Sequence, residues 1–377
     1  MSLSPAEIAR YSRHLALAEV GREGQERLRA ARVLIVGTGG LGAPAALYLA
    51  ASGIGTLGLV DCDRVELSNL QRQVLFGTED VGQPKALAAE RRLAALNPEI
   101  KIVAHALELC AANVSDLIAG YDVILDGTDR FATRYLVNDA CVILGKPLVT
   151  AAIHRFEGQL LTYVPGQGAC YRCLFPDAAG GDVASCAEAG VLGVLPGVIG
   201  TLQATEAIKL VLGRGAPLCG RLLTYDALDM RFQEFPVSRR RDCAVCGERP
   251  TIRAPAEAAL AGEQPAAGVR RLGPAGLVAL LAASGAGGPA VRLIDVREPH
   301  EFAVGHLADS DSVPLAEFER GAGSFDPAAV TVFICRSGAR SLRACQIAAA
   351  RGFGAPANLD GGLLAWAASV DASLPVA

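Results

Sequence analysis

A chain of 377 residues, 51% of them hydrophobic, exceeds what one hydrophobic core ordinarily supports, so two domains are expected. The formal charge of −4 leaves no basic footprint for nucleic acid, and no lysine- and arginine-rich run marks a lipid surface. No apolar run reaches the roughly 18 uncharged residues of a bilayer span, and Glu7, Arg10 and Arg13 stand where a secretory signal would have a basic patch and an apolar segment. A reducing, cytoplasmic location is therefore expected, with neither membrane nor nucleic acid as partner.

A short helical lead-in over 5–17 is followed by an apolar run at 33–36, a cluster of glycines and a helix-like stretch at 43–51. This reads as strand, tight turn and helix. A second strand at 57–60 ends on Asp61, and further strand candidates lie at 100–104, 121–126 and 147–150 with helical segments between them. Strands alternating with helices predict an α/β fold with a mostly parallel sheet covered on both faces. Between 247 and 268 an alanine-, proline- and glutamate-rich stretch loses all periodicity and reads as a linker. The expected organisation is a first domain at 1–247, a linker at 248–268 and a second, smaller α/β domain at 269–377. In that second domain, strands are expected at 291–295 and 330–334, and helices at 273–283 and 341–350.

Gly37-Thr38-Gly39-Gly40-Leu41-Gly42 fits the glycine fingerprint, in which missing side chains permit a tight turn and let backbone approach phosphates at a helix N-terminus. Asp61 closes the next strand about twenty residues on, where a carboxylate can accept from ribose hydroxyls. A dehydrogenase would read the same up to this point. Asn69-Leu70-Gln71-Arg72-Gln73 and Gly82-Gln83-Pro84-Lys85 then add two cations and an amide, which suit a triphosphate and departing pyrophosphate and which hydride transfer does not need. Asp126-Gly127-Thr128-Asp129 ends another strand on the carboxyl edge of the sheet, where magnesium could be held beside the phosphates.

These segments, together with Arg10-Tyr11-Ser12-Arg13, resemble the molybdopterin-synthase and thiamine-pathway adenylyltransferase family, the group ancestral to ubiquitin-activating enzymes. The resemblance covers roughly residues 1–247. It implies a Rossmann-like ATP-binding domain in which Asp61 binds the ribose, Asn69, Arg72 and Lys85 the phosphates, and Asp129 the magnesium and the reacting carboxylate. It also implies a homodimer in which Arg13 reaches into the partner's site.

Cys170-Tyr171-Arg172-Cys173 and Cys243-Ala244-Val245-Cys246 form two C-x-x-C knuckles, together four thiolates for a tetrahedral, structural zinc. Cys186 lies in a glycine- and small-residue-rich stretch at 180–190 that resembles the family's crossover loop, and is a candidate for a covalent or relay role. Cys62, Cys110, Cys141, Cys219 and Cys345 stand mostly among apolar or small residues and are expected to be inert.

In the second domain, Cys335-Arg336-Ser337-Gly338-Ala339-Arg340-Ser341 follows the strand at 330–334 directly. A cysteine between a strand and a helix N-terminus meets converging amides and the positive end of the helix dipole, which favour the thiolate. Four residues separate cysteine and arginine where the tyrosine-phosphatase signature has five, giving a smaller loop that suits a sulfane sulfur. With the run from Leu293 to Phe302, Gly305-His306 and Leu359-Asp360-Gly361-Gly362, the region resembles a rhodanese domain. That resemblance implies a persulfide on Cys335, a loop shaped or charged by Arg336 and Arg340, and scaffold roles for Asp295 and Arg297. The charged Ala308-Asp309-Ser310-Asp311 stands where the family usually has a small, glycine-containing turn.

Together the two halves resemble fused adenylyltransferase–sulfurtransferases. The implied chemistry uses ATP and magnesium to adenylate the Gly-Gly carboxylate of a small ubiquitin-like sulfur carrier. A Cys335 persulfide, charged by thiosulfate or a cysteine desulfurase, then displaces AMP to give a thiocarboxylate. The twenty or so linker residues span about 25 Å if flexible, enough for shuttling within or between subunits. Competing expectations are adenylation alone with the rhodanese domain serving another acceptor or docking, an oxidoreductase on the same nucleotide fold, and a zinc-stabilised scaffold without turnover.

Overall fold

The computed structural model describes residues 2–176, 190–256, 269–288, 290–321, 329–354 and 356–376. By its internal contacts the chain divides into two units, Met1–Leu260 and Ala261–Ala377.

The first unit is built on an eight-stranded sheet of order β3-β2-β1-β4-β5-β6-β7-β8. Its strands are β1 (Arg32–Val36), β2 (Thr56–Val60), β3 (Lys101–His105), β4 (Val123–Asp126), β5 (Leu148–His154), β6 (Glu157–Tyr163), β7 (Arg221–Asp226) and β8 (Arg231–Pro236). The first five are parallel, and β5 to β8 continue as an antiparallel meander. Along β1, Val33 and Ile35 join one core cluster while Leu34 and Val36 join another on the opposite face. A strand covered on both faces is apolar at every position, which is why its sequence reads as a continuous run and not as an alternation. The helices Gly42–Ser52 and Leu195–Leu212 supply one cover and Phe131–Leu144 the other.

The parallel strands lie within a few residues of their expected positions. The lead-in divides into helices Pro5–Arg10 and Ser12–Leu15 at Tyr11, which is buried and accepts a hydrogen bond from Asn97 Nδ2 at 2.9 Å. The strand expected from Tyr121 begins at Val123, because the Tyr121 amide closes the preceding helical turn on Ile118 O. The meander was not anticipated: β8 is exposed at all of its residues and so carries no burial period.

The second unit holds a five-stranded, all-parallel sheet of order β11-β10-β12-β13-β9. Its strands are β9 (Arg270–Leu272), β10 (Val291–Asp295), β11 (Ser310–Ser312), β12 (Val330–Ile334) and β13 (Ala357–Leu359). The two central strands match the expected bounds. The other three have three residues each, too few for a periodic signal. Leu293, Val332 and Ile334 pack with Leu277 and Leu363 on one face, while Ile294 and Phe333 pack with Phe318 and Ala348 on the other.

Gly58, in the middle of β2, is required by its neighbours. A Cβ there would lie 2.2 Å from Tyr121 Oη and 2.7 Å from Leu34 Cδ1. Gly58→Ala is expected to destabilise the first unit by about 1–3 kcal/mol through overpacking, read as a fall of several degrees in the temperature of its unfolding transition.

Candidate functional site

Chain connections leave β1 and β4 in opposite directions along the sheet, β1 leading to β2 and β3, and β4 to β5. Ligands bind in the crevice that such a switch opens beyond the carboxyl ends of the strands. Gly37 leaves β1 with φ +84°, and a Cβ on Gly42 would lie 1.9 Å from Gly37 O. The helix Gly42–Ser52 can therefore start hard against the strand it follows, with its first-turn amides at the crevice. Gly39 and Gly40 line the same cleft, where a Cβ on Gly39 would touch Gln73 Nε2 at 3.4 Å and one on Gly40 would touch Pro196 at 3.3 Å.

Asp61, Arg72, Lys85 and Asp129 all line this cleft. Asp61 Oδ2 accepts from the Thr38 amide at 2.8 Å and Thr38 Oγ1 at 2.9 Å, while Oδ1 accepts from the Asp63 amide at 2.9 Å. A carboxylate offers about four acceptor sites, so about one remains for a ribose hydroxyl. Lys85 is buried, with Nζ 3.0 Å from Asp63 Oδ2. Arg72, half-buried, donates to Ser68 O at 3.1 Å. Asp129 is exposed at the cleft wall.

Asn69 and Arg13 do not line the cleft. Asn69 is buried in its own turn, its Oδ1 accepting from the Glu66 amide at 3.4 Å, and Arg13 is exposed on the short helix Ser12–Leu15. Asp126, read with Asp129 as a magnesium candidate, is buried and holds the strand ends together. It accepts from the Thr128 amide at 3.0 Å, Thr128 Oγ1 at 2.7 Å and Thr150 Oγ1 at 2.8 Å. Cys62 also departs from expectation, being exposed on the cleft wall, although burial and then Asp63 push its thiol up.

The structure adds cleft residues that sequence reasoning did not single out. Arg134 is buried and donates twice to Thr128 O, at 3.1 and 2.6 Å. Gln73, which closes the Asn69–Gln73 motif, is 4% exposed, and its Oε1 has no hydrogen-bond partner among the described residues. Asp63 had no motif to flag it. Cys186 lies outside the described residues.

The four knuckle cysteines converge. All are buried and their sulfurs lie within 4.8 Å of one another, with Cys170–Cys173 at 3.9 Å, Cys170–Cys243 at 3.7 Å and Cys173–Cys246 at 3.4 Å. Tetrahedral zinc with sulfurs at about 2.3 Å needs edges of about 3.8 Å, so the donor set fits that ion. Hydrogen bonding with Cys243 and Cys246 pushes the Cys170 thiol up, and the same bonding pulls Cys243 down. The cluster joins the turn after β6 to the segment after β8, and the Arg240 amide donates to Cys173 Sγ at 3.4 Å.

In the second unit, Cys335 follows β12, and the loop turns into the helix Ala339–Ala350 through Gly338 at φ +99°. Cys335 Sγ accepts from the Gly338 amide at 3.1 Å and Ser341 Oγ at 3.3 Å, and the residue is fully buried. The loop is clamped from behind. Leu363 N donates to Cys335 O at 2.9 Å and Leu364 N to Arg336 O at 3.1 Å, and a Cβ on Gly362 would lie 2.4 Å from Cys335 O. Arg340 is paired with both Glu301 oxygens at 2.6 and 2.7 Å. Burial raises the Glu301 carboxyl, but the Arg340 and Glu298 hydrogen bonds outweigh it and hold it below its usual range. Asp295 and Arg297 form a fully buried pair closed at 2.7 Å, and Arg297 also holds Gly305 O at 2.7 Å. Asp309 takes φ +57° at the amino end of β11. Register with β10 and β12 puts that acidic turn at the edge of the sheet opposite the Cys335 loop. Burial pushes Cys345 up to about 12, which suits a core thiol and not a nucleophile.

The sequence pattern of the ThiF family matches residues 11–245, and that of the rhodanese-like domain matches residues 278–369. The probable adenylyltransferase/sulfurtransferase MoeZ of Mycobacterium tuberculosis is 42% identical over 97% of this chain and 94% of its own length. The sulfur carrier protein adenylyltransferase of Thermus thermophilus is 52% identical over 67% of this chain and 96% of its own length. Among solved structures, MccB of E. coli crystallised with ATP aligns at a TM-score of 0.55 and 28% identity, covering 63% of this chain and 73% of that one. The chain belongs to the ThiF family and carries a rhodanese-like domain behind its Rossmann-like unit.

Proposed function

We propose that this protein adenylates the C-terminal Gly-Gly carboxylate of a small ubiquitin-like sulfur carrier and then converts it to a thiocarboxylate with sulfur carried on Cys335. The observation that carries this reading is one cleft at the β1/β4 switch that gathers a glycine-lined helix N-terminus, Asp61, Arg72, Lys85 and Asp129, on a chain that also holds a clamped cysteine loop. Residues 1–247 would carry the first step, 248–268 the tether and 269–377 the second, in a cytoplasmic homodimer with Arg13 contributed across the interface.

A carboxylate is a poor electrophile, and joining it to AMP supplies a good leaving group. A carrier oxygen attacks the α-phosphorus, a P–O bond forms, the bond to the bridging oxygen breaks and pyrophosphate departs. Two anions must be brought together, so positioning and positive charge dominate. The loop amides after Gly37, with Gly39, Gly40 and Gly42 letting backbone approach, would cradle the phosphates. Asp61 would orient the ribose, Arg72 and Lys85 would take the phosphate charge, and Asn69, outside the cleft, would hold the turn that presents Arg72, whose amide donates to the Asn69 carbonyl at 3.1 Å. Asp129, exposed at the cleft wall, is the carboxylate that would hold magnesium, which would neutralise phosphate charge there.

In the second step the Cys335 thiolate attacks the outer sulfur of thiosulfate, and sulfite leaves as the new S–S bond forms. A cysteine desulfurase persulfide is the alternative donor. The outer sulfur would stand about 2 Å beyond the enclosed Sγ. It attacks the acyl adenylate and AMP departs, leaving an acyl disulfide. A second thiol then attacks Cys335, releasing the thiocarboxylate and leaving a disulfide; Cys186 is the candidate.

Arg72→Met is expected to lower carrier-dependent pyrophosphate–ATP exchange by about 10²–10³-fold, as for loss of one charge-stabilising donor; an exchange rate within twofold of the unsubstituted protein would refute its role. The zinc reading predicts one zinc per chain by metal analysis. Cys243→Ser should lose that metal and lower the unfolding temperature of the first unit, whereas a metal-free protein with no response to a chelator would contradict it.

A further inference from the structure

The ammonium of Lys85 is already taken by a residue outside every motif that led to the cleft. Its side chain is 7% exposed, whereas that of its partner Asp63 is 66% exposed, so a nearly enclosed cation is held by a carboxylate that stands in water. The pair is set into a rigid frame. The Lys85 amide donates to Asp63 O at 2.9 Å, the Asp63 amide donates to Asp61 Oδ1 at 2.9 Å, and Asp61 is bound to Thr38 of the glycine loop. Both side chains line the cleft. A polyphosphate reaching Lys85 therefore meets a carboxylate on the same ammonium, and two anions crowding one cation repel each other.

We propose that Asp63 is a positioning residue that exchanges Lys85 with the polyphosphate. Asp63 holds the ammonium at the cleft wall before ATP arrives, yields it to the phosphates, and takes it back as pyrophosphate leaves. No bond is made or broken in this exchange, which moves an ionic contact between two acceptors. It weakens the grip of the cleft on ATP and pyrophosphate alike, and so opposes trapping of the product. The inference rests on the adenylation reading above, because it assigns the anion in the cleft as a nucleotide polyphosphate.

Asp63→Asn in the full chain tests it, with titration calorimetry of magnesium pyrophosphate and magnesium ATP beside carrier-dependent exchange kinetics. Removing one unit charge about 5 Å from the phosphates, at an effective dielectric of about 50–80, corresponds to about four- to tenfold. Asp63→Asn should therefore bind pyrophosphate about four- to tenfold more tightly and lower the KM for ATP in the same direction, in a protein that circular dichroism shows to be folded, with any fall in unfolding temperature reporting the lost counter-charge of Lys85. Asp63→Glu should return both constants toward those of the unsubstituted protein. Unchanged or weaker pyrophosphate binding by a folded Asp63→Asn protein overturns the proposal while leaving adenylation standing, provided that the unsubstituted protein binds ATP and catalyses exchange. If the unsubstituted protein does neither, the adenylation reading fails and this inference falls with it.

Discussion

The first unit depends on one close approach, the start of the Gly42–Ser52 helix against the carbonyl of Gly37, where even a methyl group would fall 1.9 Å from oxygen. That contact lets the helix follow β1 after a tight loop, Gly37 to Leu41, and aims its unsatisfied amides over the carboxyl edge of the sheet. Asp61 at the end of β2 ties down Thr38, and Asp126 at the end of β4 ties down Thr128 and Thr150. Carboxylates thus fix the turns around the crevice, and the cations that face it come from other segments, Arg72 and Lys85 between β2 and β3 and Arg134 after β4.

The second unit solves a related problem with different parts. Cys335 also follows a central parallel strand, and its sulfur accepts from the Gly338 amide and the Ser341 hydroxyl at the start of a helix, but the loop is held from outside by the turn into Gly362–Ser369. Arg340 is paired with Glu301 and Arg297 with Asp295, so two of the three nearby arginines brace the frame, while Arg336 is half-buried in the loop itself. Breaking either buried pair would strand a charge, which is far more costly than losing an exposed one. The loop is thereby kept rigid around its sulfur.

Much of this was legible in the residues because close packing and catalysis both restrict residue type. The glycines of the first loop, the two C-x-x-C pairs and the cysteine between β12 and its helix each have few substitutes, so their spacing carried both fold and chemistry. The central strands were readable because burial on both faces makes them apolar throughout. The meander β6 to β8 was missed because its outer strand is exposed on both faces, and β9, β11 and β13 because three residues hold no period. Asp63 and Arg134 were invisible for another reason. An aspartate two residues past another, or an arginine in an ordinary helix, acquires meaning only when the fold brings it to the cleft wall. Asp126 shows the converse, since a carboxylate in the right motif turned inward to bind hydroxyls.

Thiocarboxylate formation requires both halves of the chain to act on one carboxylate. Intact-mass measurement of a Gly-Gly-ended carrier, after incubation with this protein, ATP, magnesium and thiosulfate, tests that most directly, with Cys335→Ala in parallel. A carrier heavier by the difference between sulfur and oxygen, and unmodified in the Cys335→Ala reaction, is the predicted result. A carrier that stays unmodified with the unsubstituted protein, or gains the same mass with Cys335→Ala, would contradict it.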